Sequence, residues 1–251
     1  MKTFYQFLNE AKLTTNFTYY HGCSKSENGE KILSDGFLKP GNEENKRGHK
    51  LTPDIGRTYA TPNFRESVVY TMGGDFFPCN NWSTYLEKER GKYGYLFEID
   101  RSSFTDVIPD EDYVGQLIYY GDKILKDDLK WLEFVGTKEI FNQGKNALKN
   151  FYEKWDANKI RRFLSTCQSI LTPLQYKKCL RYDDYADFAV AGKKMNKFLD
   201  DYWKREIIEL GTPVGNQGRL TFSKAWKIDK ENALRLKKDA SNFFDLAVKI
   251  L

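Results

Sequence analysis

Histidine occurs only twice in the 251 residues, at His21 and His49, and cysteine only four times, at Cys23, Cys79, Cys167 and Cys179. The cysteines are scattered without metal-ligand spacing, and two histidines supply little to such a set, which argues against a zinc site. The same scatter argues against a disulfide framework and for free thiols in a reducing cytoplasm. No apolar run approaches the roughly 20 residues that span a bilayer. Helix-turn-helix and zinc-finger signatures are missing, as is any internal repeat. With 40% hydrophobic and 30% charged residues the composition is ordinary for a soluble globular protein. The length suits one large or two small domains.

Charge is divided unevenly. Residues 1–140 carry 18 basic and 22 acidic side chains, a net −4, whereas residues 141–251 carry 22 and 13, a net +9. The pattern changes at the same place. The first part mixes short β-rich runs with Gly-rich turns. The second reads as helical over 146–156, 159–171, 173–182, 183–210 and 229–251, with Pro173 suiting a helix start. Gly211-Thr212-Pro213 and Gly215-Asn216-Gln217-Gly218 read as a loop. Lysine pairs at 177–178, 193–194 and 237–238 recur near Tyr176, Tyr202 and Trp203. Such a basic half suits nucleic acid, an acidic protein surface, or no partner beyond solvent.

The informative runs lie in the first part. Phe17–Tyr20 is rich in β-formers and reads as a strand leading into His21-Gly22. Residues 25–34 read as a short helix stopped by Gly36. Tyr59 sits in a further strand. After Pro62, the spacing of Phe64, Ser67, Val68 and Thr71 predicts a helix that carries Ser67 and Tyr70 on one side. Gly22 lets a flat ring approach the backbone. Two tyrosines so presented can sandwich a cationic aromatic ring, or they can be core aromatics in a chain with 16 Tyr and 18 Phe.

Together these runs resemble the His-Tyr-Glu class of ADP-ribosyltransferases, which contains diphtheria toxin and the poly(ADP-ribose) polymerases. The resemblance covers residues 15 to about 140. It implies NAD as cofactor, with Tyr59 and Tyr70 stacking nicotinamide, Gly22 and Ser67 holding its carboxamide, and His21 bonding the adenosine side. It also implies an α+β fold: a split, mostly antiparallel transferase core over 11–144, followed here by a basic all-helical region over 145–251. Cys23 stands where the polymerases usually carry serine. No arginine strand end or Ser-Thr-Ser signal of the arginine-specific toxins is evident, so the acceptor is open.

The class needs a carboxylate on a later strand to stabilise positive charge developing on the ribose. Glu133, in Lys130-Trp131-Leu132-Glu133-Phe134-Val135-Gly136, is the candidate, because an acid is disfavoured within a β-rich run. Asp110, Glu111 and Asp112 are the rivals. They read as a turn of solvated charges that could flank an acceptor site.

Residues 1–11 form a short amphipathic segment with Phe4, Phe7, Leu8 and Ala11 on one helical face. It lacks the apolar core of a secretory signal. It resembles the capsid-targeting leaders of T4-like phage internal head proteins, which end in a Leu/Ile-x-Glu site cut by the prohead protease. Leu8-Asn9-Glu10 fits that site, with cleavage expected between Glu10 and Ala11. The alternative is an ordinary N-terminal helix. The combined expectation is an NAD-dependent transferase packaged in the virion and acting on a host macromolecule, protein or nucleic acid. The alternatives are an NAD glycohydrolase and a non-catalytic binding protein on the same scaffold.

Overall fold

The computed structural model describes residues 15–40, 56–73, 91–126, 146–181, 185–230 and 243–251. Glu133, Glu10 and Ala11 therefore lie outside the described residues, as do the rest of the leader-like segment and His49 and Cys79.

Two antiparallel sheets hold the His21-Gly22 and Tyr59 runs. The first takes β1 (Tyr19–Cys23), β4 (Tyr93–Ile99), β7 (Leu220–Asp229) and β2 (Phe37–Leu38) in the order β1-β4-β7-β2, with β8 (Val248–Lys249) also on β7. The second is β3 (Arg57–Ala60), β6 (Val214–Gln217) and β5 (Asp106–Pro109) in the order β3-β6-β5. Every strand pair is antiparallel. A bridge between Tyr20 and Thr61 joins the edge of β1 away from β4 to the end of β3, with N–H···O distances of 2.8 and 2.9 Å.

Local sequence explains the short helices around the site. Helix α1 (Ser26–Asp35) ends at Gly36, whose φ of 76° is the left-handed cap that glycine adopts without strain. Helix α2 (Phe64–Met72) starts at Asn63, whose side chain accepts from the Glu66 N–H. Val68 and Met72 of α2 pack on Leu96, Trp226, Ile228 and Phe243. Tyr19, Tyr95, Phe97 and Ile99 point to the other face and meet Val107, Val214, Leu220 and Phe222 between the sheets. Strand β4 is thus covered on both faces.

Helix α3 (Glu111–Leu125) follows β5 and anchors a helical layer. The layer comprises α4 (Asn146–Lys154), α5 (Ala157–Ile170), α6 (Pro173–Arg181), α7 (Tyr185–Phe198) and α8 (Asp201–Ile208). Its core holds Phe151, Trp155, Ile160, Phe163, Phe188 and Trp203. Helices α3 and α7 cross in backbone contact at two glycines. A Cβ on Gly115 would lie 2.3 Å from the Phe188 carbonyl oxygen, and one on Gly192 would lie 1.8 Å from that of Glu111.

The α+β class holds, and several expectations change. Residues beyond 145 are not all helical: β6, β7 and β8 complete the sheets, so the strand-bearing core does not stop at 144. Val214–Gln217, read as loop, is the central strand of its sheet. The end of the chain, read as helix from 229, holds α9 (Phe243–Leu246) and β8 among its described residues. The helix read over 183–210 is broken into α7 and α8, because the Asp200 carboxylate accepts from the Trp203 N–H and starts a new helix.

Candidate functional site

The site is built where β1 meets β3. Tyr20 spends its backbone groups on Thr61, away from β4. Strand alternation turns the N–H and C=O of Gly22 to that same edge. Glycine is required there for packing. A Cβ on Gly22 would sit 2.1 Å from the Ser67 carbonyl oxygen and 2.7 Å from the Thr71 nitrogen. The space left by the missing side chain is therefore occupied by α2, not kept for a ring. Gly94 on β4 does the same, with a Cβ position 2.3 Å from the Thr71 carbonyl oxygen. The two glycines make a trough for the helix that carries Ser67 and Tyr70. Within it Thr71 Oγ1 lies 2.9 Å from the Ser67 carbonyl and 3.2 Å from that of Tyr95.

His21 sits 2.8 Å through Nδ1 from the Tyr59 carbonyl oxygen. A carbonyl only accepts, so Nδ1 carries the hydrogen. Burial lowers the imidazole pKa, opposed by that hydrogen bond. The neutral ring then leaves Nε2 as an acceptor, the form that receives a hydroxyl hydrogen. This one bond ties the His-Gly strand to the Tyr59 strand. The neighbouring Cys23 thiol is 9% exposed. Burial raises its pKa, and it donates weakly to the Lys25 carbonyl at 3.5 Å.

The two tyrosines occupy different settings. Tyr70 is 54% exposed. Tyr59 is partly buried, and its ring lies against Gly215 of β6, where a Cβ would come within 3.1 Å of Cε1. The Tyr59 hydroxyl donates to both carboxylate oxygens of Glu111, at 2.9 and 3.1 Å. Ser67 is wholly buried, and its hydroxyl donates to the Phe64 carbonyl at 2.6 Å. Its hydrogen is thereby committed to its own helix. Ser67 and Tyr70 share a helix but not an environment: the serine faces β1 and the tyrosine stands at the rim.

Sequence reading named three of the carboxyl groups gathered here as rivals of Glu133 but anticipated neither their burial nor the part taken by Glu66. Asp110, Glu111 and Asp112 are not a turn of solvated charges. Asp110 caps α3 by accepting from the Asp112 N–H at 3.0 Å, and Glu111 is 5% exposed. Glu66 accepts from Thr61 Oγ1 and from the Tyr113 hydroxyl, both at 2.8 Å. Burial raises the Glu66 pKa against those two hydrogen bonds. Burial also holds Asp110 well above the usual carboxylate range, reinforced by Asp112, Glu111 and Glu66. Asp112 is pushed up to about 6 by burial and by Glu111, opposed by Lys193. Burial is the leading cause at all three, and neighbouring carboxylates add to it at Asp110 and Asp112.

One of these residues had a legible signal. Asn63-x-x-Glu66 has the spacing of a capping box, although the Glu66 carboxylate turns to Thr61 and Tyr113 instead of the cap. Glu111 was legible only as a rival carboxylate, and neither its bond to Tyr59 nor the place of Gly215 behind that ring had a signal, because Tyr59 lies more than 50 residues away in sequence in each case. Among the described residues no group of three or more His, Cys, Asp or Glu could hold a metal ion, and no helix is long and apolar enough to cross a membrane. No protein-family model, curated protein or solved structure matches the chain.

Proposed function

We propose that the protein transfers ADP-ribose from NAD to a macromolecule. The observation that carries this reading is the bond from His21 Nδ1 to the Tyr59 carbonyl, next to the bridge between Tyr20 and Thr61. Residues 38 apart in sequence are thereby joined, which sets His21 and the edge of β1 at Gly22 beside the Tyr59 strand. In this reading the outward N–H and C=O of Gly22 take the two ends of the nicotinamide amide. Tyr59 and Tyr70 supply ring faces, and His21 Nε2 accepts from a hydroxyl of the adenosine ribose. The buried Ser67 hydroxyl has only its lone pairs left to offer, so the backbone of Gly22 carries the amide recognition. The ribose-stabilising carboxylate is assigned to Glu133.

The leader-like segment extends the proposal to an enzyme packaged in a phage head, trimmed by the prohead protease and delivered with the genome to a host cytoplasm. The test is incubation of purified protein with adenylate-labelled NAD and host lysate. A labelled macromolecule supports the transferase. Free ADP-ribose alone reassigns the site to an NAD glycohydrolase. Intact NAD under all conditions overturns both and leaves a binding protein. Mass spectrometry of phage particles tests the packaging. Protein beginning at Ala11 supports it, and an uncut Met1 form in virions overturns it.

A further inference from the structure

We propose that Glu111 is a positioning residue for Tyr59, holding the ring where it meets nicotinamide, and that α7 in turn holds Glu111. The inference rests on the NAD reading above and adds a residue that the reading does not need.

Four contacts carry it. The Tyr59 hydroxyl is 2.9 and 3.1 Å from the two oxygens of Glu111, so its tip is fixed between them. The ring is backed by Gly215, where a Cβ would lie 3.1 Å from Cε1 and 3.4 Å from Cζ. The Tyr59 carbonyl is held by His21, so backbone and ring tip are both restrained. Glu111 itself has little freedom. It is 5% exposed, and Gly192 of α7 comes so near that a Cβ there would sit 1.8 Å from the Glu111 carbonyl oxygen. Restraint therefore passes from α7 through the first turn of α3 to the aromatic face of the site. A carboxylate so buried, with both oxygens turned to a phenol, has little surface left for a substrate. That separates a positioning role from a catalytic one.

The experiment uses the full chain and NAD itself, with binding by calorimetry, turnover by NAD consumption and folding by near-ultraviolet circular dichroism. Glu111→Ala should weaken NAD binding about three- to tenfold, the effect of refreezing one side chain on binding. The loss should appear in KM with kcat nearly unchanged. Tyr59→Phe keeps the ring face but deletes the same bond, so it should weaken binding equally, and the double variant should be no worse than either single one. Glu111→Gln should restore affinity to within about threefold, because its amide oxygen still accepts the phenol hydrogen.

A Glu111→Gln variant that binds NAD normally but loses about 100-fold or more in turnover overturns the proposal, since that pattern belongs to a charge acting on the reaction. Additive losses in the double variant also overturn it. If Glu111→Ala does not fold, Tyr59→Phe decides: wild-type affinity there sinks the proposal. Failure of the NAD reading looks different, because wild-type protein would then bind no NAD at all.

Discussion

Adding a methyl group at Gly22 tests how the site is assembled, because β1 and α2 touch there through backbone atoms. The Cβ of Gly22→Ala would lie 2.1 Å from the Ser67 carbonyl oxygen, 2.7 Å from the Thr71 nitrogen and 2.9 Å from Thr71 Oγ1. Ordinary contact begins near 3.4 Å. The helix must therefore retreat by more than an ångström, and no side-chain rotation relieves the clash. Retreat would loosen Val68 and Met72, exposed 0% and 2%, against Leu96 and Trp226. It would also lengthen the bond from Thr71 Oγ1 to the Tyr95 carbonyl, now 3.2 Å. Overpacking typically costs about 1–3 kcal/mol, and a backbone obstacle puts this case near the upper end, about 3 kcal/mol. For a chain of this size each kcal/mol lowers Tm by roughly 2–4 °C, so the expected fall is about 6–12 °C by calorimetry. NAD affinity should fall further than Tm implies, because the outward groups of Gly22 and the Tyr70 ring move apart. Gly36→Ala is the control. It is strained by its φ of 76°, but its Cβ meets nothing within 4 Å, so it should lower Tm modestly and leave NAD binding alone. A Gly22→Ala protein melting within about 2 °C of wild type would refute the packing argument.

Three further expectations follow from the site. Tyr70→Ala should cost about 1–2 kcal/mol in NAD binding by titration calorimetry, whereas Tyr70→Phe should be mild because the ring face remains; equal damage from both would transfer the role to the hydroxyl. Glu133→Gln should fold normally and lose about 100-fold or more in turnover; unchanged turnover would remove Glu133 from the reaction. The folded pKa of Asp112 is about 6, above its unfolded value of about 3.9, so the native state holds an extra proton between the two. Stability should therefore fall as pH rises from about 4 to about 6, and urea midpoints of Asp112→Asn should flatten that slope.

What could be read from the sequence was set locally. The stop of α1 at Gly36 and the start of α2 at Asn63 are backbone preferences of single residues, and both fell within a residue or two of expectation. The placing of His21 and Gly22 on one strand, Tyr59 on another and Tyr70 on the helix that follows was legible because their spacing sits within two short continuous runs. The acidic run at 110–112 looked solvated because nothing beside it in sequence answers its charge. Its partners are Tyr59 and the turn of α7 around Gly192. Strand β6 was invisible for a related reason. Val214-Gly215-Asn216-Gln217 has a weak strand composition, and it is a strand because β3 and β5 pair with it on either side.

That order of assembly bears on synthesis. The middle strand of one sheet and an inner strand of the other lie beyond residue 213, so a growing chain exposes β1, β3, β4 and β5 to solvent long before β6 and β7 leave the ribosome. Until then the strands already made present open edges, which invite wrong pairing. The helices between 146 and 208, rich in local contacts, can form first and occupy that interval. A stop codon near residue 210 would thus yield a helical layer beside a β half in which β1 and β4 can pair but β2, β3 and β5 lack their partners. In cells such a fragment should be recovered with chaperones or as aggregate, while full-length protein from the same promoter stays in the supernatant.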